Sequence, residues 1–162
     1  MLQNRRMIFR SVKRALLLLT VGISPLWVGS AHAALGGDWA SVLADGAELH
    51  GVVNSVISQQ YDIQEITADT GMRVREYVNR DGVVFAVSWA GPAPPDLQRL
   101  LGAHYMEYTT ALAALRHPGL QRSVRVASPE LIVESGGHLR AYAGRAFLPA
   151  LVPAGVSAAD LL

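Results

Sequence analysis

The reactive inventory of this 162-residue chain is five histidines, thirteen carboxylates and no cysteine. A metal site needs His, Cys, Asp or Glu side chains returning to one face at short spacing. His32, His50, His104, His117 and His138 lie in separate segments, and none has a second histidine at a ligand spacing. His104 and Glu107 are three apart and share a helical face, but solvated polar groups on a helix account for them equally well. Ser135-Gly136-Gly137-His138 places a serine and a histidine across an expected hairpin turn. The one nearby carboxylate, Glu134, points to the opposite face, and no G-x-S-x-G elbow is present to strain a nucleophile. Glu65, Glu76, Glu130 and Glu134 fall in or beside strands, where a half-buried carboxyl can serve as a general acid. Arg75, Arg125 and Arg140 make ion pairing the simpler reading. No catalytic residue, metal or cofactor is assigned.

Two surfaces remain as binding candidates. One is the second hairpin with the segment after it, carrying His138, Arg140, Tyr142, Arg145, Phe147 and Leu148. The other is a pocket between helix and sheet with Arg75, Glu76 and Trp89 near its mouth, as a small-ligand binder or a hydrolase-type enzyme would use.

The beginning of the chain constrains where such surfaces would work. Arg5, Arg6, Arg10, Lys13 and Arg14 precede an apolar stretch from Leu16 to about Val28, and Ala31-His32-Ala33 follows. Cationic head, short apolar run and small residues are the parts of a secretory signal peptide cleaved after Ala33. The run is short for a membrane span and is interrupted by Pro25, so no span is expected after cleavage. The 129 residues beyond it hold nine arginines against thirteen carboxylates, a net charge of −4. Such a balance disfavours nucleic acid, whose backbone is bound by a cationic stripe. The expected location is periplasmic or secreted. Without cysteine the core there must hold by packing, with no disulfides.

Elements follow from periodicity. Asp38 to Val53 carries Trp39, Val42, Leu43, Leu49 and Val53 near helical spacing, and Ser55 to Gln60 reads as a loop. Tyr61 to Ala68 reads as a strand. Arg73–Val78 and Val83–Trp89 form a hairpin across Asn79-Arg80-Asp81-Gly82, with Gly82 left-handed. If Asn79 pairs with Val83, Tyr77 faces Phe85, Arg75 faces Val87 and Arg73 faces Trp89. Tyr77, Val83, Phe85, Val87 and Trp89 would then share one face, with Val74, Val78, Val84 and Ala86 on the other. A helix opens at Pro95-Asp96 and carries Leu97, Leu100, Leu101, Tyr105, Tyr108, Leu112 and Leu115 as an apolar stripe, stopped by Pro118-Gly119. Leu131–Ser135 and His138–Ala143 read as a second hairpin turning at Gly136-Gly137. The expected fold class is α+β: a small antiparallel sheet built from two hairpins, packed with one long and one shorter amphipathic helix. Residues 34–146 would form the single domain, and 147–162 an apolar, proline-containing tail, its last turn capped by Ser157, docked on the body or on a partner.

Three blocks, ALGGDWASVLADGAEL, REYVNRDGVVFAVSWAGPAPPDLQRLLG and SGGHLRAYAGRAFLPALVPAGVSAADL, resemble the bacterial exported family catalogued as domain of unknown function 2844. The resemblance covers nearly all of the chain beyond the leader and implies an exported protein. It brings no activity or site residue with it. The expected role is a non-catalytic accessory or interaction protein of the cell envelope, with another envelope protein as its partner.

Overall fold

A computed structural model describes residues 35–115 and 123–161. The expected leader, the Pro118-Gly119 stop and Arg122 lie outside the described residues. The fold is α+β around one seven-stranded sheet, antiparallel throughout, in the order β1-β2-β3-β4-β7-β6-β5. The strands are β1 (Val52–Ile57), β2 (Tyr61–Thr67), β3 (Arg73–Asn79), β4 (Val84–Gly91), β5 (Ser123–Ala127), β6 (Ile132–His138) and β7 (Ala141–Phe147). Helix α1 (Trp39–Glu48) precedes β1. Between β4 and β5 run α2 (Leu97–Leu101), a 3-10 turn (Gly102–His104) and α3 (Tyr105–Ala113), one helical stretch of 17 residues.

The sheet is larger than two hairpins because three further strands, β1, β2 and β5, pair into it. Ser55 to Ile57, expected in a loop, belongs to β1, in unbroken register with β2 from Val52↔Thr67 to Ile57↔Asp62. Its side chains are mostly exposed, so no alternation of apolar and polar residues marks it as a strand. Helix α1 correspondingly ends before Val53. Gly51 donates to Gly46 O, and a Cβ on Gly51 would lie 2.7 Å from the Ile66 side chain, so the chain turns directly into the sheet there.

The first hairpin closes as its residues require. Asn79 Oδ1 accepts from the Asp81 and Val83 amides, and Gly82 takes φ +80. Asn79 does bond Val83, yet the facing pairs expected from that contact do not form. Val78 pairs with Val84 and Tyr77 with Ala86, so Phe85 is the extra residue of a bulge. Arg75 consequently faces Ser88 and Arg73 faces Ala90. The bulge also redistributes the faces. Val74, Val78, Val84, Val87 and Trp89 pack together toward the helices, while Tyr77, Phe85 and Ala86 pack together on the other side.

The second hairpin turns three residues later than Gly136-Gly137. Both glycines lie within β6, and Leu139-Arg140 make the turn, with Arg140 at φ +65. Gly137 serves close approach: a Cβ there would lie 2.7 Å from Ala141 O.

The helix-side core joins Ile66, Val74, Val87, Trp89, Val133 and Ala146 of the sheet to Val42, Leu100, Leu101 and Tyr108. Asp96 caps α2 by accepting from the Arg99 amide, and the apolar stripe expected from Leu97 onward faces the sheet through Leu100, Leu101 and Tyr108. The tail packs on part of the opposite face. Val152, Val156, Ala158 and buried Leu161 pack on Tyr61, Ile63, Tyr77, Phe85 and Phe147. Ser157 and Asp160 form a capping box around the last 3-10 turn, which holds Leu161 in place.

Candidate functional site: an arginine-rich half-face of the sheet

Along each strand successive side chains alternate between faces, and neighbouring strands lie about 4.8 Å apart. The registers therefore align one continuous row on the tail side: Glu65, Arg75, Ser88, Arg145, Glu134 and Arg125. Arg75 Nε donates to Glu65 Oε2 at 2.7 Å, and Arg73 Nε lies 3.7 Å from Glu65 Oε1. On the other side of Ser88, Arg145 Nη2 lies 2.6 Å from Glu134 Oε2, and Arg125 Nε donates to Glu134 Oε1 at 2.9 Å. Arg145 also donates to the carbonyl of Ala158, so the row is anchored to the docked tail.

This row divides the face. Toward the tail lie Tyr77, Ala86 and Phe147, all buried. Away from it lie Arg73, Ala90, Ala143 and Ser123, all exposed. Small side chains there leave the outer guanidiniums in solvent: Arg73 is 55% exposed and Arg125 is 64%. Four arginines against two glutamates give the half-face a net positive charge. Each carboxylate is shared between two arginines, which holds the guanidiniums in place along the sheet.

The hydrogen bond from Arg145, opposed by burial and reinforced by the Arg145 charge and then by Arg125, holds the Glu134 carboxyl below its ordinary value. A carboxyl whose pKa is depressed on folding stabilises the native state above its unfolded pKa, and that contribution fades as pH falls through the folded value. Arg145→Ala is thus expected to lower stability by about 1.5–3 kcal/mol at neutral pH, the range for a hydrogen bond to a charged group. Its deficit relative to the parent should shrink as pH is taken below about 4.5, the unfolded carboxyl range. Thermal melts of both chains between neutral and acid pH check this; a deficit constant with pH would show that Glu134 is not the partner that matters.

The residues singled out from sequence are dispersed. Arg145 and Phe147 lie on the tail side, Arg145 in the row and Phe147 beneath the tail. Tyr142, opposite Gly91 and Gly137, alternates to the helix side, and Leu148 is buried in the helix-side core. His138 and Arg140 are exposed at the hairpin tip around Leu139, which is 82% exposed. Of the pocket residues, Arg75 stands in the arginine row, whereas Glu76 and Trp89 point to the helix side and are buried. Adjacent strand residues cannot share a face, so Arg75 and Glu76 do not meet. Glu76 is fully buried opposite Gln64, which accepts from Ser55. A cleft of 290 Å³ lies elsewhere, between Gln60, Asn79, Arg80, Asp81 and tail residues 150–153.

Glu65, Arg73, Arg125 and Glu134 were not assigned to a site from the sequence. Their signal is opposite charges on consecutive strands, Glu65 with Arg73 across β2 and β3 and Arg125 with Glu134 across β5 and β6, and the pairing of β4 with β7 joins the two halves into one row. Among the described residues no group of three or more His, Cys, Asp or Glu is placed to hold a metal ion. Glu107 sits 3.5 Å from His104 and accepts from Ser128. No helix among the described residues is long and apolar enough to cross a membrane.

No curated protein and no solved structure matches the chain. Residues 31–161, which include the whole sheet and the docked tail, match the family described as "Protein of unknown function (DUF2844)", and the chain belongs to that family.

Proposed function

We propose that the protein is an exported, non-catalytic interaction module of the cell envelope whose arginine-rich half-face receives an acidic surface of another envelope protein. The observation that carries this reading is the charge contrast. A chain that is net acidic beyond residue 33 gathers Arg73, Arg75, Arg125 and Arg145 on one open half-face, with Arg140 at the adjoining hairpin tip. Exposed ion pairs such as Arg73–Glu65 and Arg125–Glu134 contribute little to stability, typically ~0–1 kcal/mol, so folding alone does not call for these two arginines beside Arg75 and Arg145. Arginine suits such a role: its planar fork binds carboxylates in pairs of parallel hydrogen bonds and is less strongly hydrated than lysine. The tail supports the reading differently from the sequence expectation. Its apolar side chains are used on the body, which leaves the arginine row beside it as the receptive surface.

The test is charge reversal. Arg73→Glu combined with Arg125→Glu should reduce capture of envelope proteins by about tenfold or more, on the scale of losing charge complementarity at an interface rim and beyond. Capture by the parent should weaken as salt rises, because exposed charges are screened. Circular dichroism should be unchanged, since both side chains are more than half exposed. Capture that survives both the reversal and high salt would dispose of the proposal.

A further inference from the structure

The two edges of the sheet are built differently. Strand β5 is five residues long and carries Arg125, ion-paired to Glu134, at its centre. Charge and shortness are devices by which natural sheets keep an edge from pairing. Strand β1 has neither a charge nor a proline, and no bulge interrupts its register. It exposes Val52 and Val56, at 67% and 55%, and Ile57 beyond them.

We propose that β1 pairs antiparallel with β1 of a second copy of this chain, about a two-fold axis through Asn54, joining two sheets into one. The backbone phase can be derived. Ser58 donates to Tyr61 O at 3.2 Å, so the pair closing the β1–β2 turn is hydrogen-bonded. Antiparallel ladders alternate, so Val56, Asn54 and Val52 bond to β2, and Val53, Ser55 and Ile57 direct N–H and C=O outward. A second strand must meet those outward groups, and paired residues must lie on the same face. A two-fold axis through Asn54 meets both conditions.

The strand is self-complementary in that register. Val52 faces Val56 of the second copy on the tail side, and by symmetry Val56 faces Val52, so both exposed valines are covered. Ile57 faces Gly51, where no side chain competes. Asn54 faces itself, and a carboxamide both donates and accepts, so two can bond each other. A charge at or beside Asn54 would stand near its own image and repel; no charged residue occurs from Gly51 to Gln60. Because the axis is perpendicular to the sheet, the arginine-rich half-faces of both copies would point the same way. The pairing itself does not rest on the function proposed for that face.

The chain has no cysteine, which makes the test direct. Asn54 would occupy a non-hydrogen-bonded site with Cα atoms about 4.5 Å apart, within the range a disulfide spans. In the full-length chain, Asn54→Cys should therefore form a disulfide-linked dimer under mild oxidation at least about tenfold faster than Leu139→Cys, whose exposed hairpin tip is remote from the axis. Light scattering should give twice the chain mass for the parent and one chain mass for Val56→Lys, with circular dichroism unchanged. A monomeric parent, equal crosslinking rates, or open-ended assemblies in which Asn54→Cys does not link would each overturn the proposal; the last would mean β1 pairs with β5 of the next copy.

Discussion

Truncation after Leu148 is expected to abolish the cooperative thermal transition. The tail brings Val152, Val156, Ala158 and Leu161 onto Tyr61, Tyr77, Phe85 and Phe147, and without it that aromatic cluster faces water. Each large side chain so exposed forfeits about 1.5–3 kcal/mol of burial, and a domain holds only about 5–15 kcal/mol in total. The finer probe is Leu161→Ala. Leu161 is fully buried at the centre of the cluster, and large-to-small changes at such sites cost about 2–5 kcal/mol. For a domain of this size that corresponds to a fall in Tm of roughly ten degrees or more. A truncated chain melting at the parent temperature would show that the tail is an appendage. From sequence alone, residues 147–162 read as a tail docked on the body or on a partner. In the structure Phe147 ends β7 and the Leu148 amide donates to Phe85 O.

Gly144→Ala is expected to be the most damaging single-methyl addition. A Cβ on Gly144 would lie 2.5 Å from Glu134 O on the neighbouring strand and 2.5 Å from Cζ2 of Trp89, whose ring lies across the glycine. Neither partner can yield cheaply: one is backbone in the ladder, and the other is a buried ring at 2% exposure. Over-packing of this kind costs about 1–3 kcal/mol, and Gly144→Val should cost more. Trp89→Phe should couple to it non-additively, since a smaller ring relieves one of the two clashes. Urea unfolding followed by tryptophan fluorescence reads both effects. Parent-like stability of Gly144→Ala would mean that the ring does not rest on this glycine.

How far the fold could be read in advance differs element by element, for physical reasons. The first hairpin was visible because Asn79 and Gly82 determine their own turn through a side-chain bond and a left-handed backbone. The long helix was visible through the spacing of Leu97, Leu100, Leu101, Tyr105 and Tyr108, and the final turn through Ser157. Strand β1 was not, because an edge strand exposed on both faces shows no alternation. The Phe85 bulge was not, because the extra residue is apolar and packs as well on either side of the sheet until the tail is known to cover one of them. Gly136-Gly137 misled because the same residue type supports tight turns and close strand approach. The arginine row was hidden for a longer-range reason. Its members come from six strands, and only the pairing of β4 with β7 brings Arg75 and Arg145 to either side of Ser88.

Whether a partner sits on the open half-face beside the arginine row is read by a photo-crosslinking amino acid placed at Ala143 in growing cells. Ala143 is exposed on that half-face, and Met106, 71% exposed on α3, reports the opposite side of the molecule. The expected result is a discrete adduct from position 143, absent from position 106 and lost when Arg73→Glu and Arg125→Glu are added. No adduct at 143, or the same adduct from both positions, would contradict the account.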